Sequence, residues 1–168
     1  NRLSYLYLIR RYRFSTQIED QSRAFLQGLT ELINPRWLRL FNTEELRVLV
    51  TGADTPIDVE DLRRNTVYGG YHEKDMAVQY FWEALSSLDQ ASLKAFLRFV
   101  TSSPNPPLLG FSELNPKFAI RHAGDDITRL PTASTCVNLL KLPAYNSTAQ
   151  CLEKVKYAIY SGAGFDLS

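Results

Sequence analysis

The stretch Thr51-Gly52-Ala53-Asp54-Thr55-Pro56 does most to limit what this chain can fold into. Glycine admits backbone angles closed to other residues, and proline can neither continue a helix nor donate an N–H. Together, among small polar residues, they read as a hinge or linker. Apolar residues at helical spacing run up to this stretch and begin again after it. The chain is therefore expected to divide into residues 1–51, a joint at 52–56 and residues 57–168.

Before the joint, residues 17–33 carry Ile18, Phe25, Leu29, Leu32 and Ile33 near helical spacing, and Asn34-Pro35 stops the helix. A second short helix follows Asn42-Thr43, with Glu44 and Glu45 favourable in its first turn and Leu46, Val48, Leu49 and Val50 as its apolar content. Arg2, Arg10, Arg11 and Arg13 precede the first acid, Glu19, and read as a solvated helix face. After the joint, Asp58 can cap a short helix over Val59–Arg64, and Gly69-Gly70 is a turn. Residues 75–87 read as a helix with Met76, Phe81, Trp82 and Leu85 pointing inward. Asp89 caps the next, where Leu93, Phe96, Leu97 and Val100 fall at i, i+3, i+4 and i+7.

The character changes at Pro104-Asn105-Pro106-Pro107. Leu108-Leu109, Phe118-Ala119-Ile120 and Val137-Asn138-Leu139-Leu140 alternate with turn residues and read as short strands. A last helix runs from about Thr148 to Tyr160, with Leu152, Val155 and Ile159 on one face and Gly162 as its C-cap. Several helices with a few short strands make an α+β fold.

Apolar residues at 45% and charged residues at 22% are globular usage, sufficient for a proper core. Nineteen Lys and Arg against 18 Asp and Glu leave a net charge of +1, which gives no electrostatic reason to bind nucleic acid or an anionic membrane. No apolar run approaches the roughly 20 residues that span a bilayer. The opening Asn1-Arg2-Leu3-Ser4-Tyr5-Leu6 is not a signal peptide, and without an initiator Met the chain is expected to be the end of something longer. Two cysteines are fewer than a stapled secreted domain of this size carries. Free thiols in a reducing compartment, cytoplasmic or nuclear, fit better.

Few residues carry chemistry. There is no GxGxxG, P-loop, CxxC or HExxH, and His72 and His122 are too few for most metal sites, so neither a metal nor a cofactor is expected. Cys136 stands out by its setting, between a proline and a strand and after small hydroxylated residues. A thiol on such a loop is reachable by a large partner, and neighbouring N–H and hydroxyl groups can stabilise a thiolate or an oxyanion. Cys151, beside Leu152 in the last helix, reads as a small apolar filler. Context alone leaves Cys136 open between a structural residue and a nucleophile.

The segment Leu130-Pro131-Thr132-Ala133-Ser134-Thr135-Cys136-Val137-Asn138-Leu139-Leu140-Lys141-Leu142-Pro143, continuing to Tyr145, closely resembles the active-site segment of HECT-type ubiquitin-protein ligases, LPxxxTCxNxLxLPxY. The likeness covers nearly the whole chain. Phe41-Asn42-Thr43-Glu44-Glu45-Leu46 with Val50-Thr51-Gly52 is similar to the end of that family's N-lobe and its hinge. Asn65-Thr66-Val67-Tyr68-Gly69-Gly70-Tyr71, Phe81-Trp82-Glu83 and Phe99-Val100-Thr101 are similar to its early C-lobe. Pro107-Leu108-Leu109-Gly110-Phe111 and Gly164-Phe165 complete the order. The stretch Ala133-Ser134-Thr135-Cys136-Val137-Asn138-Leu139-Leu140-Lys141 and the ending Ala163-Gly164-Phe165-Asp166-Leu167-Ser168 look most like the subgroup that elongates chains at the proteasome. The resemblance implies a C-lobe over 57–168, with helices packed on a small mixed sheet. Before it come the helical end of an N-lobe over 1–51 and a hinge at Gly52, Ala53 and Asp54. The implied partners are ubiquitin, a ubiquitin-conjugating enzyme docked mainly upstream of residue 1, protein substrates and, from the subgroup, the proteasome.

The chemistry the resemblance implies is an acyl relay. A conjugating enzyme passes ubiquitin from its own cysteine to Cys136, and a lysine then attacks the new thioester. An ordinary thiol, with a pKa of about 8.5, is a few per cent thiolate at neutral pH and strongly nucleophilic. Exchange between thioesters is nearly balanced in free energy. Transfer to an amine is downhill, but a lysine with a pKa of about 10.4 must first lose a proton, and a nearby base or acceptor helps. Many family members have His two residues before the cysteine; Ser134 stands there in this chain. The implied helpers are Thr135, a hydrogen-bond partner near the thioester, and Asp166, the acidic tail residue. Phe165, fourth from the end, matches the aromatic that docks the tail against the N-lobe during transfer. His122 reads as a surface or capping residue more readily than as a replacement imidazole. Two other readings make different demands. A thiol protease or redox protein requires a histidine partner or a resolving cysteine; a non-catalytic α+β interaction domain makes Cys136 incidental.

Overall fold

The structure, a computed structural model, describes residues 2–52 and 54–161. The chain divides into two units, Asn1–Leu46 and Arg47–Ser168.

The first unit is helical. Helix α1 (Arg2–Phe14) leads through one 3-10 turn (Thr16–Ile18) into α2 (Glu19–Leu32), followed by α3 (Pro35–Leu38) and the start of α4 (Thr43–Thr51). Local chemistry sets these boundaries. Glu19 and Asp20 occupy the first turn of α2, where the helix dipole favours acids, and Arg23 reaches back to both. The Asn34 side chain accepts from the Arg36 N–H, and Pro35 opens α3. Asn42 and Glu45 form a capping box: the Glu45 N–H donates to Asn42 Oδ1 (2.9 Å) and the Asn42 N–H to Glu45 Oε2 (2.7 Å). The helix expected over 17–33 is α2. Its apolar stripe fills no core among the described residues, for Phe25 and Leu32 are exposed.

The second unit has the core. Helix α5 (Val59–Arg64) is capped by the Asp58 side chain, which accepts from the Glu60 and Asp61 N–H groups. Strand β1 (Val67–Gly69) follows, then α6 (Met76–Ser86) and α7 (Gln90–Thr101), the latter capped by Asp89 and closed by Ser102 in the left-handed region. Strands β2 (Ala119–His122), β3 (Thr132–Ser134) and β4 (Leu139–Leu142) precede α8 (Thr148–Tyr160). The sheet order is β1-β2-β4-β3, with β1, β2 and β4 parallel and β3 antiparallel to β4. This mixed sheet with its helices is the expected α+β architecture. Helices α6 and α7 both pack on α8, and α7 also lies against β3 and β4. Phe81, Trp82, Phe96 and Phe118 form a chain of ring contacts through the core, with successive centroids 5.0 to 6.2 Å apart.

Several details correct the sequence reading. Leu108-Leu109 is a turn, not a strand, and Leu109 is 77% exposed. Pro106 and Pro107 remove ladder donors, the Gly110 N–H closes on the Pro107 carbonyl (3.1 Å), and Phe111 takes the buried place. Met76 does not point inward: it begins α6 at 61% exposure, and Val78 fills the core instead. Val137 belongs to a 3-10 turn, so the strand starts at Leu139. The Gly69-Gly70 turn falls one residue later than expected: Gly69 ends β1 and Gly70 bends at φ +72°. The expected C-cap, Gly162, lies outside the described residues; α8 is described to Tyr160.

Tyr71, Tyr145 and Cys151 are buried close together. The tyrosine hydroxyls donate to the Leu142 and Arg129 carbonyls (3.0 and 2.7 Å). Burial holds all three groups neutral, pushing Tyr71 and Cys151 up to about 12 and Tyr145 also upward. A raised folded-state value means that their contribution to stability is whole below the unfolded values and is lost as pH rises through the folded ones. Thermal melting should therefore be level across neutral pH and fall between pH 9.0, the ordinary thiol value, and about 12. A melting temperature unchanged up to pH 12 would contradict the burial of these groups.

Candidate functional site

Strands β3 and β4 form a hairpin with Thr132 opposite Lys141, Ala133 opposite Leu140 and Ser134 opposite Leu139. Ala133 and Leu140 are buried and anchor its base. Its tip is the 3-10 turn Thr135–Val137, with Cys136 as the central, exposed residue and Thr135 half-buried beside it. Helix α7 packs against this turn as well as against both strands.

Asn138 fixes the turn. It sits in the left-handed region at φ 50° and is only 7% exposed. Its side-chain amide donates to the Pro116 carbonyl at 2.7 Å, its own carbonyl accepts from the Ala119 N–H at 3.0 Å, and its N–H closes on the Thr135 carbonyl at 3.4 Å. One residue thus ties the thiol-bearing turn to the start of β2 and to the Asn115-Pro116 loop. Asparagine suits the position because it tolerates this backbone region and carries a donor there. The sequence reading missed this role, although an asparagine just before an apolar strand was a visible turn signal.

His122 is not brought to the thiol. It lies opposite Leu142, three residues along β2 from Ala119 and so roughly 10 Å from the end where the turn sits. There its Nε2 pairs with Asp125 Oδ1 at 3.2 Å and its ring meets the Tyr71 ring edge-on. His72 lies in the bend before α6, its N–H donating to Asp75. Cys151 is fully buried on α8, which removes it as a resolving cysteine for Cys136. Among the described residues, no group of His, Cys, Asp and Glu is placed to hold a metal, and no helix is long and apolar enough to cross a membrane.

At the expected joint, Gly52 adopts φ +80°, and a Cβ there would meet the Pro106 carbonyl oxygen at 2.7 Å. Asp54 pairs with Lys94, whose hydrogen bond and charge hold its carboxyl below the ordinary range. Ala53, Phe165 and Asp166 lie outside the described residues. The structure therefore brings together Cys136, Thr135 and Asn138.

A family model described as HECT-domain (ubiquitin-transferase) matches residues 1–168. The chain belongs to the HECT family. Among similar HECT relatives, E3 ubiquitin-protein ligase HUL5 of Saccharomyces cerevisiae is 48% identical over 168 residues, covering all of this chain and 18% of that protein. E3 ubiquitin-protein ligase UPL6 of Arabidopsis thaliana is 43% identical over 174 residues, with 100% and 17% covered. Ubiquitin-protein ligase E3B of Homo sapiens is 40% identical over 194 residues, with 100% and 18% covered. This HECT chain spans less than a fifth of the length of these relatives.

The two thiols of this HECT chain should separate cleanly by reactivity. Cys136 is exposed, whereas Cys151 is buried and its thiol is pushed up to about 12. Iodoacetamide is expected to label one thiol in the native chain and two after denaturation, since the thiolate attacks and must be reachable. Equal labelling of both thiols under native conditions would show that the α8 face opens.

Proposed function

We propose that this chain carries the acyl-transfer end of a ubiquitin-protein ligase and that Cys136 holds ubiquitin as a thioester. The observation that carries the reading is an exposed free thiol at the tip of a braced turn, within the segment by which the chain resembles HECT active sites. In loading, the Cys136 sulfur attacks the ubiquitin carbonyl carbon. A C–S bond forms to Cys136, the bond to the conjugating enzyme's cysteine breaks, and that sulfur leaves as thiolate. In discharge, a deprotonated lysine amine of a substrate or of another ubiquitin attacks the same carbon. A C–N bond forms, the C–S bond to Cys136 breaks, and the proton that the amine nitrogen sheds balances the departing thiolate, which returns to a free thiol. The Thr135 hydroxyl is the hydrogen-bonding group of the turn beside the thioester. With Ser134 in place of a histidine and His122 paired to Asp125 elsewhere, removal of the lysine proton falls to Asp166 or to a group outside this chain.

In this reading Phe165 docks the tail, residues 1–51 end an N-lobe, and 52–56, with Gly52, Ala53 and Asp54, form the hinge to a C-lobe over 57–168. The partners are ubiquitin, a conjugating enzyme and protein substrates, in the cytoplasm or nucleus. Work at the proteasome rests on the likeness to the chain-elongating subgroup.

The test is to incubate the complete catalytic domain with activating enzyme, conjugating enzyme and ubiquitin. A ubiquitin adduct that reducing agent removes is expected; its absence would refute the reading in favour of a non-catalytic interaction domain. The hinge has its own test. Gly52→Pro replaces φ +80° by an angle near −65° and is expected to slow transfer by about tenfold while melting of the core is unchanged. Transfer at the parent rate would remove the hinge role.

A further inference from the structure

Three side chains far along the chain fasten Thr51, Asp54 and Ile57. The Gln90 amide grips both backbone groups of Ile57: the Ile57 N–H donates to Gln90 Oε1 at 2.7 Å, and Gln90 Nε2 donates to the Ile57 carbonyl at 3.2 Å. Lys94 pairs with Asp54. Asn105 Nδ2 donates to the Thr51 carbonyl at 3.1 Å. Gly52 lies so close to the Pro106 carbonyl that no side chain fits between them. Gln90 and Lys94 are one helical turn apart on α7, and Leu97 and Thr101 continue the same face, so Asp54 and Ile57 are held from one stripe of that helix. Leu97, Thr101, Gly52, Asn105 and Asn138 share the lining of a cavity of about 390 Å³.

The fastenings are graded. Ile57 is a core residue held by two hydrogen bonds. The Lys94–Asp54 pair and the Asn105–Thr51 bond are exposed. Exposed ion pairs and single amide bonds are weak and exchange readily with water. The segment is therefore built to peel from its Thr51 end while Ile57 stays anchored.

We propose that Gln90, Lys94 and Asn105 are positioning residues that strap the linker to α7, and that release of the strap sets the balance between loading and discharge of Cys136. This rests on the reading of residues 52–56 as the hinge of a ubiquitin transferase. A strap that favours one of two hinge arrangements favours the half-reaction made in it, so release shifts the two half-reactions in opposite senses.

The experiment uses the complete catalytic domain with Lys94→Glu, Asp54→Lys and the charge-swapped double variant. Amide hydrogen exchange is read over residues 51–57, and loading and discharge are measured separately in single turnovers. Lys94→Glu is expected to speed exchange of the segment and to move loading and discharge in opposite directions by about threefold or more, with both restored in the double variant. Unchanged exchange, half-reactions that fall together, half-reactions that do not move, or failure of the double variant to rescue would each overturn the strap. If the parent forms no adduct at Cys136, the transferase reading fails instead, and the exchange arm with its charge-swap rescue decides the strap by itself.

Discussion

Cys136→Ala is expected to abolish the reducible ubiquitin adduct and to lower lysine transfer by on the order of 10³-fold or more, because in the proposed relay ubiquitin enters through this thiol. The fold should not notice. Cys136 is exposed at the tip of its turn, and surface changes of this kind stay within about 0.5 kcal/mol. Cys136→Ser sharpens the test. A hydroxyl is a far weaker nucleophile than a thiolate, but any ubiquitin it accepts is held as an oxygen ester that survives reducing agent. Loading measured by gel shift with and without reducing agent, beside a melting curve for each variant, checks both parts. A reducible adduct that persists in Cys136→Ala would move the nucleophile to another cysteine; Cys151, the other cysteine of this chain, is buried on α8 and would require local opening.

The second large effect concerns Asn138, which touches no reacting atom. Asn138→Ala removes the donor to the Pro116 carbonyl and places a residue without Asn's tolerance at φ 50°. Pro116 is exposed, so water can replace the lost donor, and the missing hydrogen bond costs about 1 kcal/mol. The left-handed backbone adds roughly 1 kcal/mol more. A loss of about 2 kcal/mol in stability is therefore expected, with transfer slowed by about tenfold as the thiol loses its fixed position. Asn138→Gly separates the two causes. It relieves the backbone and still loses the hydrogen bond, so it should fall between the parent and Asn138→Ala in both denaturant midpoint and single-turnover rate. If glycine is no better than alanine, the backbone angle is not what asparagine supplies there.

The helices of the second unit were legible because each carries its own signal. Asp58 and Asp89 announce their helices and cap them, and Leu93, Phe96, Leu97 and Val100 fall on the inward face of α7. The strands were legible only in part. Strands β1 and β3 are three residues each, too short to show alternation, and they exist through their partners in the sheet. Thr132-Ala133-Ser134 reads as loop by composition and becomes a strand by pairing with β4. Leu108-Leu109 misled in the other direction, for two prolines before it and Gly110 after it outweigh two leucines. Within the candidate site, the exposed place of Cys136 was legible from its setting after a proline and small hydroxylated residues. The brace at Asn138 was not, because it depends on a backbone angle and on a carbonyl 22 residues away. The grip of Gln90, Lys94 and Asn105 spans separations of 33 to 54 residues and leaves no mark in local sequence.

Every buried apolar side chain among the described residues lies at Ile57 or beyond. Calorimetry would register this division directly. The heat capacity of unfolding scales with the apolar surface that melting exposes, so the cooperative transition should carry about 1.2–1.5 kcal/mol/K, the value for a domain of roughly a hundred residues and well short of that for the whole chain. Helices α1 and α2 would then unwind as a sloping baseline beneath the peak.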